Sequence, residues 1–198
     1  MTKDKILKVA SEEFAKYGYD AVSMNNLVKK LEINKATVYY HYKDKKSLYN
    51  EVIKAIFKSR NEETKKLFEE NSDGPTLLKL YIELEIKTIK EKPYLVSLAL
   101  REIANLGSEL DQSIIPLFEE DTKYLQMILD RLNFKDEYKD ISVYAFTSLI
   151  MGTIFNFYSI QMSELAIGTK DELKKDSEKS LSFISDFIYK IIISTTCK

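Results

Sequence analysis

Between positions 35 and 45 the chain carries Lys35, Ala36, Thr37, Val38, Tyr39, Tyr40, His41, Tyr42 and, three residues on, Lys45. These types do not make a catalytic set. His41 is the only histidine, and no neighbouring Cys or second His completes a ligand or acid–base group around it. They do suit an anionic polymer. The Lys ammonium, the Thr and Tyr hydroxyls and the imidazole can donate to phosphates, touch base edges or pack on a thymine methyl. No phosphate-cradling Gly loop, nucleophile elbow or paired metal motif occurs elsewhere. The expectation is a non-enzyme with no metal and no cofactor.

The elements that position these residues follow from spacing. Ile6, Ala10 and Phe14 fall on one stripe and predict a helix over 3–17. Gly18 should end it at a left-handed position. Ser23 caps a short helix with Leu27, Val28 and Leu31 inward. Asn34 caps a second over 35–42, whose core pair is Val38 and Tyr42. Short helix, turn, short helix is a helix-turn-helix, whose second helix enters the major groove. Asp44 then caps a long helix reaching about 68, with Leu48, Val52, Ala55, Ile56 and Leu67 inward. Arg60 joins Lys54, Lys58, Glu62, Glu63, Lys65 and Lys66 on its outer face.

Composition agrees. The 198 residues include only 5 Gly and 3 Pro, too few breakers for a sandwich or barrel. The fold class is all-α, with about nine helices. Later helices are expected over 76–90, 93–106, 110–132, 138–166 and 170–195. Leu77, Leu80, Tyr81 and Leu84 are in phase on the first, and Pro116 is placed to kink the third. Thr169 and Glu172 form a capping box after Gly168. One Cys, Cys197, excludes an intrachain disulfide and fits a cytoplasmic protein. The most apolar run, 144–160, is interrupted by Thr147, Ser148, Thr153, Asn156 and Ser159 and falls short of a membrane span. Residues 1–46 hold 10 Lys and 6 acidic residues, a net of +4, and the remainder carries −5. A basic head on an acidic body points to an anionic partner for the head.

With Phe14, Gly18 and the stretches 22–28 and 33–49, the sequence resembles the N-terminal domain of TetR/AcrR-family bacterial repressors. The resemblance covers roughly residues 5–52, and its most specific part is 37–42 followed by Lys43, Asp44, Lys45 and Leu48. It implies a DNA-binding domain over 1–46 and a ligand-binding and dimerisation domain over 47–198, with 47–70 as the connecting helix. It further implies phosphate contacts by Ser23 and Asn25. Lys35, Ala36 and Thr37 would read bases, and Tyr39, Tyr40 and His41 would touch phosphate or base edges. Lys45 matches the family's phosphate-binding lysine. Ala36 stands where the family often has Gly, a departure that bears on specificity. Independently, Lys45 and Lys46 oppose the positive end of their own helix dipole, at a cost of about a few tenths of a kcal/mol. A phosphate docked there would relieve it.

The body offers aromatic and soft residues on helices expected to pack inward: Tyr81, Tyr124, Met127, Tyr144, Phe155 and Tyr158. Polar groups interrupt its apolar runs at Glu85, Arg101, Glu102 and Asn156. Pockets in helical bundles combine such linings, and a plain core with occasional polar residues is the alternative for each position. The last two helices are apolar on more than one face and need a second surface to bury. A partner copy is the economical cover, with Gly152, Phe157, Phe183, Phe187 and Ile191 as interface candidates. The resemblance implies the same: a four-helix dimer bundle that presents two recognition helices to a palindromic double-stranded operator.

The expected function is a homodimeric transcriptional repressor released by a small hydrophobic or amphipathic effector, with no membrane partner. A DNA-binding protein with a structural or cell-division role, and a helical small-molecule binder without DNA binding, are the rival readings.

Overall fold

Three of the expected caps close three helix starts. Ser23 Oγ accepts from the Asn26 N–H at 3.1 Å, Asn34 Oδ1 from the Ala36 N–H at 2.9 Å, and Asp44 Oδ1 from the Ser47 N–H at 2.7 Å. Each satisfies a backbone donor that a helix end leaves free. The Ser47 N–H holds the Asp44 carboxyl below its ordinary value. The structure is a computed structural model and describes residues 3–69, 72–105, 107–162 and 177–197. The described residues form α1 (Lys3–Ala21), α2 (Met24–Leu31), α3 (Lys35–His41), α4 (Lys45–Lys66), α5 (Gly74–Glu91), α6 (Tyr94–Ala104), α7 (Ile115–Leu129), α8 (Val143–Met162) and α9 (Ser177–Ser194). Among them the sole extended pairing is one bridge between Phe134 and Thr196. The all-α expectation is met. Gly168 and the box at Thr169 and Glu172 lie outside the described residues.

The chain divides into two compact units: residues 1–59 with 92–118, and residues 60–91 with 119–198. Residues 47–59 and 92–118 thus pack in one unit with the N-terminal helices. In the first unit Ile6, Ala10, Phe14, Leu27, Leu31, Val38, Tyr42, Leu48, Tyr49 and Val52 form one core with Leu98 of α6 and Ile114. Full burial of each large side chain contributes about 1.5–3 kcal/mol. In the second unit α9 packs on α5. Leu77, Leu78, Tyr81, Ile82, Ile150, Ile154, Leu181, Ile188 and Ile192 are buried there.

Several expectations need correction. Gly18 breaks α1 with φ 81° and ψ 166°, not the left-handed helical conformation, and a further turn continues to Ala21. Pro116 sits in the first turn of α7, where no N–H donor is needed, so it marks a start and not a kink. That helix begins at Ile115, after a 3-10 turn over Gln112–Ile114. On α5 the buried stripe is Leu77, Leu78, Tyr81, Ile82 and Glu85, while Leu80 and Leu84 are half-buried. On α4, Ala55 and Ile56 are only half-buried, as is Leu67 just beyond its end, and Asn61 and Thr64 are buried instead.

The run expected to fall short of a membrane span does not: Val143–Gln161 is long and apolar enough by length and composition, with mean hydropathy 1.3. Its hydroxyls do not interrupt it as expected. Thr147, Ser148 and Thr153 donate to carbonyls four residues back, which hides their polarity.

Candidate nucleic-acid interface

The recognition-helix candidate α3 separates its residues by face. Val38 and Tyr42 are buried, and burial raises the Tyr42 phenol to about 12. Lys35, Ala36, Tyr39, Tyr40 and His41 are exposed, and Thr37 is half-buried. Tyr40 is 85% exposed. A tyrosine so placed does not contribute to the core and is available to a partner. Lys35 Nζ lies 5.5 Å from the Tyr39 ring centroid, and the Tyr40 and His41 rings meet edge-on at 5.1 Å. Ser23 and Asn25, at the start of α2, are exposed as well. The turn between the helices is made by Glu32, at φ 55°, whose N–H donates to Lys29 O.

Lys45 is half-buried. Its Nζ donates to Tyr19 O at 2.9 Å and Asp20 O at 3.3 Å, 4.4 Å from the Tyr19 ring centroid. The ammonium thus binds the end of α1 to the start of α4. Below it, Tyr49 donates its hydroxyl to Glu102 of α6, and the Asp111 N–H donates to Asn50 Oδ1 at 2.8 Å. Burial, then the Glu102 contact, pushes the Tyr49 phenol well up.

The ligand candidates do not come together as one group. Arg101, exposed, and Glu102 belong to the first compact unit, where Arg101 lies against Gly18. Tyr81 and Glu85 are buried in the second. Tyr124 and Phe155 are half-buried, and Met127, Tyr144 and Asn156 are exposed, contrary to the inward packing expected for Met127 and Tyr144. Asn156 lines an open groove of about 610 Å³ with Gly152, Phe157, Ile160 and Ile184. Of the interface candidates, Gly152, Phe183 and Phe187 are exposed, and Phe157 and Ile191 are half-buried. A Cβ on Gly152 would meet no atom within 4 Å. Packing inside the chain therefore does not require a glycine there.

Arg60 is the largest departure. Placed by periodicity on the outer face of α4, it instead pairs with Glu85 at 2.7 Å and Asp121 at 2.6 Å. It also donates to Tyr81 OH at 2.9 Å. Burial raises both carboxyls, with Arg60 opposing the shift at each. Asp121 was not anticipated. A signal was present, since 121, 125 and 128 share one helical stripe on which Leu125 and Ile128 are buried. Among the described residues no group of three or more His, Cys, Asp or Glu could hold a metal ion.

Comparison with known proteins matches the same region. Residues 6–52 match the family model described as bacterial regulatory proteins, tetR family. The biofilm operon icaADBC HTH-type negative transcriptional regulator IcaR of Staphylococcus aureus is 40% identical over 55 residues, 28% of this chain and 30% of that protein. The HTH-type transcriptional regulator QacR of Staphylococcus aureus is 37% identical over 86 residues, 43% of this chain and 46% of its own length. The similarity thus spans less than half the length of these curated relatives. Two solved structures share the fold over nearly the whole chain. The transcriptional regulator FadR of Bacillus subtilis, in complex with stearoyl-CoA, has a TM-score of 0.73 at 18% identity, covering 99% of this chain and 100% of that one. The TetR-family regulator PfmR of Thermus thermophilus has a TM-score of 0.66 at 22% identity, covering 94% and 98%. The similarity to the tetR family of bacterial regulatory proteins thus rests on the helix-turn-helix of residues 6–52.

Proposed function

We propose that this protein is a homodimeric DNA-binding transcriptional regulator, a repressor released from a palindromic operator by a small hydrophobic or amphipathic effector. The observation that carries the reading is the division of α3: Val38 is buried, while Lys35, Tyr39, Tyr40 and His41 face outward on a capped seven-residue helix. In this reading Ser23 and Asn25 grip the backbone, Lys35, Ala36 and Thr37 read base edges, and Tyr39, Tyr40 and His41 touch phosphate or bases. Lys45 has three N–H donors, two of them on carbonyls; the third serves a phosphate.

Residues 1–46 are the DNA-binding domain and 47–198 the regulatory one, with 47–70 as the lever. The repressing sense follows the printed name of IcaR, a negative regulator. The exposed Phe183 and Phe187 on α9 favour a second copy as the cover of the body's apolar face. A soluble cytoplasmic regulator uses α8 in that interface, with no membrane partner.

Selection of bound sequences from a random double-stranded DNA pool tests this. The expected result is one palindromic motif, lost with Tyr40→Ala. Recovery of no motif, or of one that Tyr40→Ala retains, rejects the reading.

A further inference from the structure

Inside the second compact unit, one guanidinium serves two carboxylates. Arg60 Nε and Nη2 lie 2.8 and 2.7 Å from Glu85 Oε1, and Nη1 lies 2.6 Å from Asp121 Oδ2. Nη2 also meets Tyr81 OH at 2.9 Å and Met151 Sδ at 3.9 Å. The side chains of Glu85 and Asp121 are 2% and 6% exposed, and that of Arg60 is 14% exposed. With both carboxylates ionised, the cluster carries one negative charge in excess, and a buried charge is unfavourable unless paired.

Asp121 Oδ1 and Thr64 Oγ1 are among the buried polar atoms of the unit that have no hydrogen-bond partner. Thr64 is wholly buried and lies one helical turn beyond Arg60 on the same face of α4. The surroundings are apolar. Leu78 and Ile82 are buried on α5 beside Glu85, and Leu125 and Ile128 follow Asp121 at one-turn steps on α7.

With both carboxylates ionised, what would complete the cluster is one positive charge and one or two donors, next to hydrocarbon. We propose that this cluster recognises an organic cation: a primary ammonium on an apolar body, donating to Asp121 Oδ1 and Thr64 Oγ1 beside Arg60. The cation brings the cluster to neutrality, and its body lies against the leucines and isoleucines of α5 and α7. Arg60, the member that reaches solvent, swings to admit it. An anion would face two carboxylates, and a neutral alcohol would leave the excess charge in place. The inference rests on the ligand-released regulator reading and gives its effector a charge.

Calorimetric titration of the full-length protein with butyl- through octylammonium, and with alcohols and carboxylates of matched length, tests it. At least one ammonium binds, and the matched alcohol and carboxylate bind at least about tenfold more weakly, a difference of about 1.4 kcal/mol. Asp121→Asn reduces the ammonium to the level of the alcohol. Thr64→Val, which replaces a hydroxyl that has no partner, keeps the fold and weakens the ammonium but not the alcohol, so it decides the matter if Asp121→Asn does not fold. Absence of ammonium binding, equal binding of alcohol or carboxylate, or ammonium binding unchanged in the folded variants overturns the proposal. Operator release separates the two readings. Ammonium binding without release removes the effector role and keeps the site, whereas release by the carboxylate alone keeps the regulator and removes the cation.

Discussion

Tyr40 and Lys45 stand for two ways in which a residue can serve the proposed DNA-binding head. Tyr40 has almost no contact area to lose, so Tyr40→Ala leaves the urea midpoint unchanged and weakens operator binding about tenfold or more. Lys45 holds Tyr19 O and Asp20 O and also offers a donor outward. Lys45→Ala therefore lowers the unfolding midpoint, by the roughly 0.5–1.5 kcal/mol of a typical hydrogen bond. It also weakens binding uniformly across operator sequences, with a salt slope smaller by about one unit. Denaturation and salt-dependent titration of both variants check the contrast. An unchanged salt slope for Lys45→Ala would limit the residue to bracing the α1–α4 corner.

Among elements, α3 has seven residues, too short to be stable alone, and depends on its cap and its packing. Asn34→Ala removes the bond to the Ala36 N–H and costs about 1 kcal/mol. Operator affinity falls with it, because the residues proposed to read bases sit in that first turn. Such caps were legible in the sequence because Ser23, Asn34 and Asp44 act on a backbone N–H two or three positions away. The Arg60 cluster was not, because partners 25 and 61 positions along the chain decide whether that charge is buried. The α5 stripe was misphased for a related reason: with Leu77, Leu78, Leu80, Tyr81, Ile82 and Leu84 all apolar, periodicity alone does not choose a face. The cluster that α4, α5 and α7 share has a pH signature. Glu85 and Asp121 have raised folded-state values, with Arg60 and Tyr81 facing them and Met151 as the α8 neighbour. A raised folded-state value means that the native state binds protons more readily than the unfolded chain. This contribution to stability therefore grows as pH falls from neutrality toward the ordinary carboxylate range, and is lost as pH rises through the raised values. Urea midpoints across that window should show the rise in the wild type and a flatter profile in Asp121→Asn; equal profiles would mean that Asp121 is fully compensated by Arg60.

For the whole molecule, the open question is what covers the apolar surface of the second unit. In the 19-residue apolar stretch of α8 only 22% of the best window is buried, and Tyr144 and Ile160 are among its exposed large side chains. On α9, Phe183 and Phe187 stack at 5.6 Å while 66% and 50% exposed. Two stacked phenylalanines that are half to two-thirds exposed forgo roughly 1–2 kcal/mol each of burial. A twofold copy that covers them also fixes two α3 helices in one particle, which reading a palindrome requires. Gly152, open to within 4 Å, leaves room for a neighbouring helix to approach the backbone of α8. A Phe183→Glu, Phe187→Glu double variant places like charges at the proposed twofold contact. It should elute as a monomer with unchanged helical circular dichroism at a concentration where the wild type is a dimer. Its affinity for the full palindrome should fall to that for a half-site. Light scattering together with half-site and full-site titrations measures both, and a double variant that remains dimeric would place the interface elsewhere.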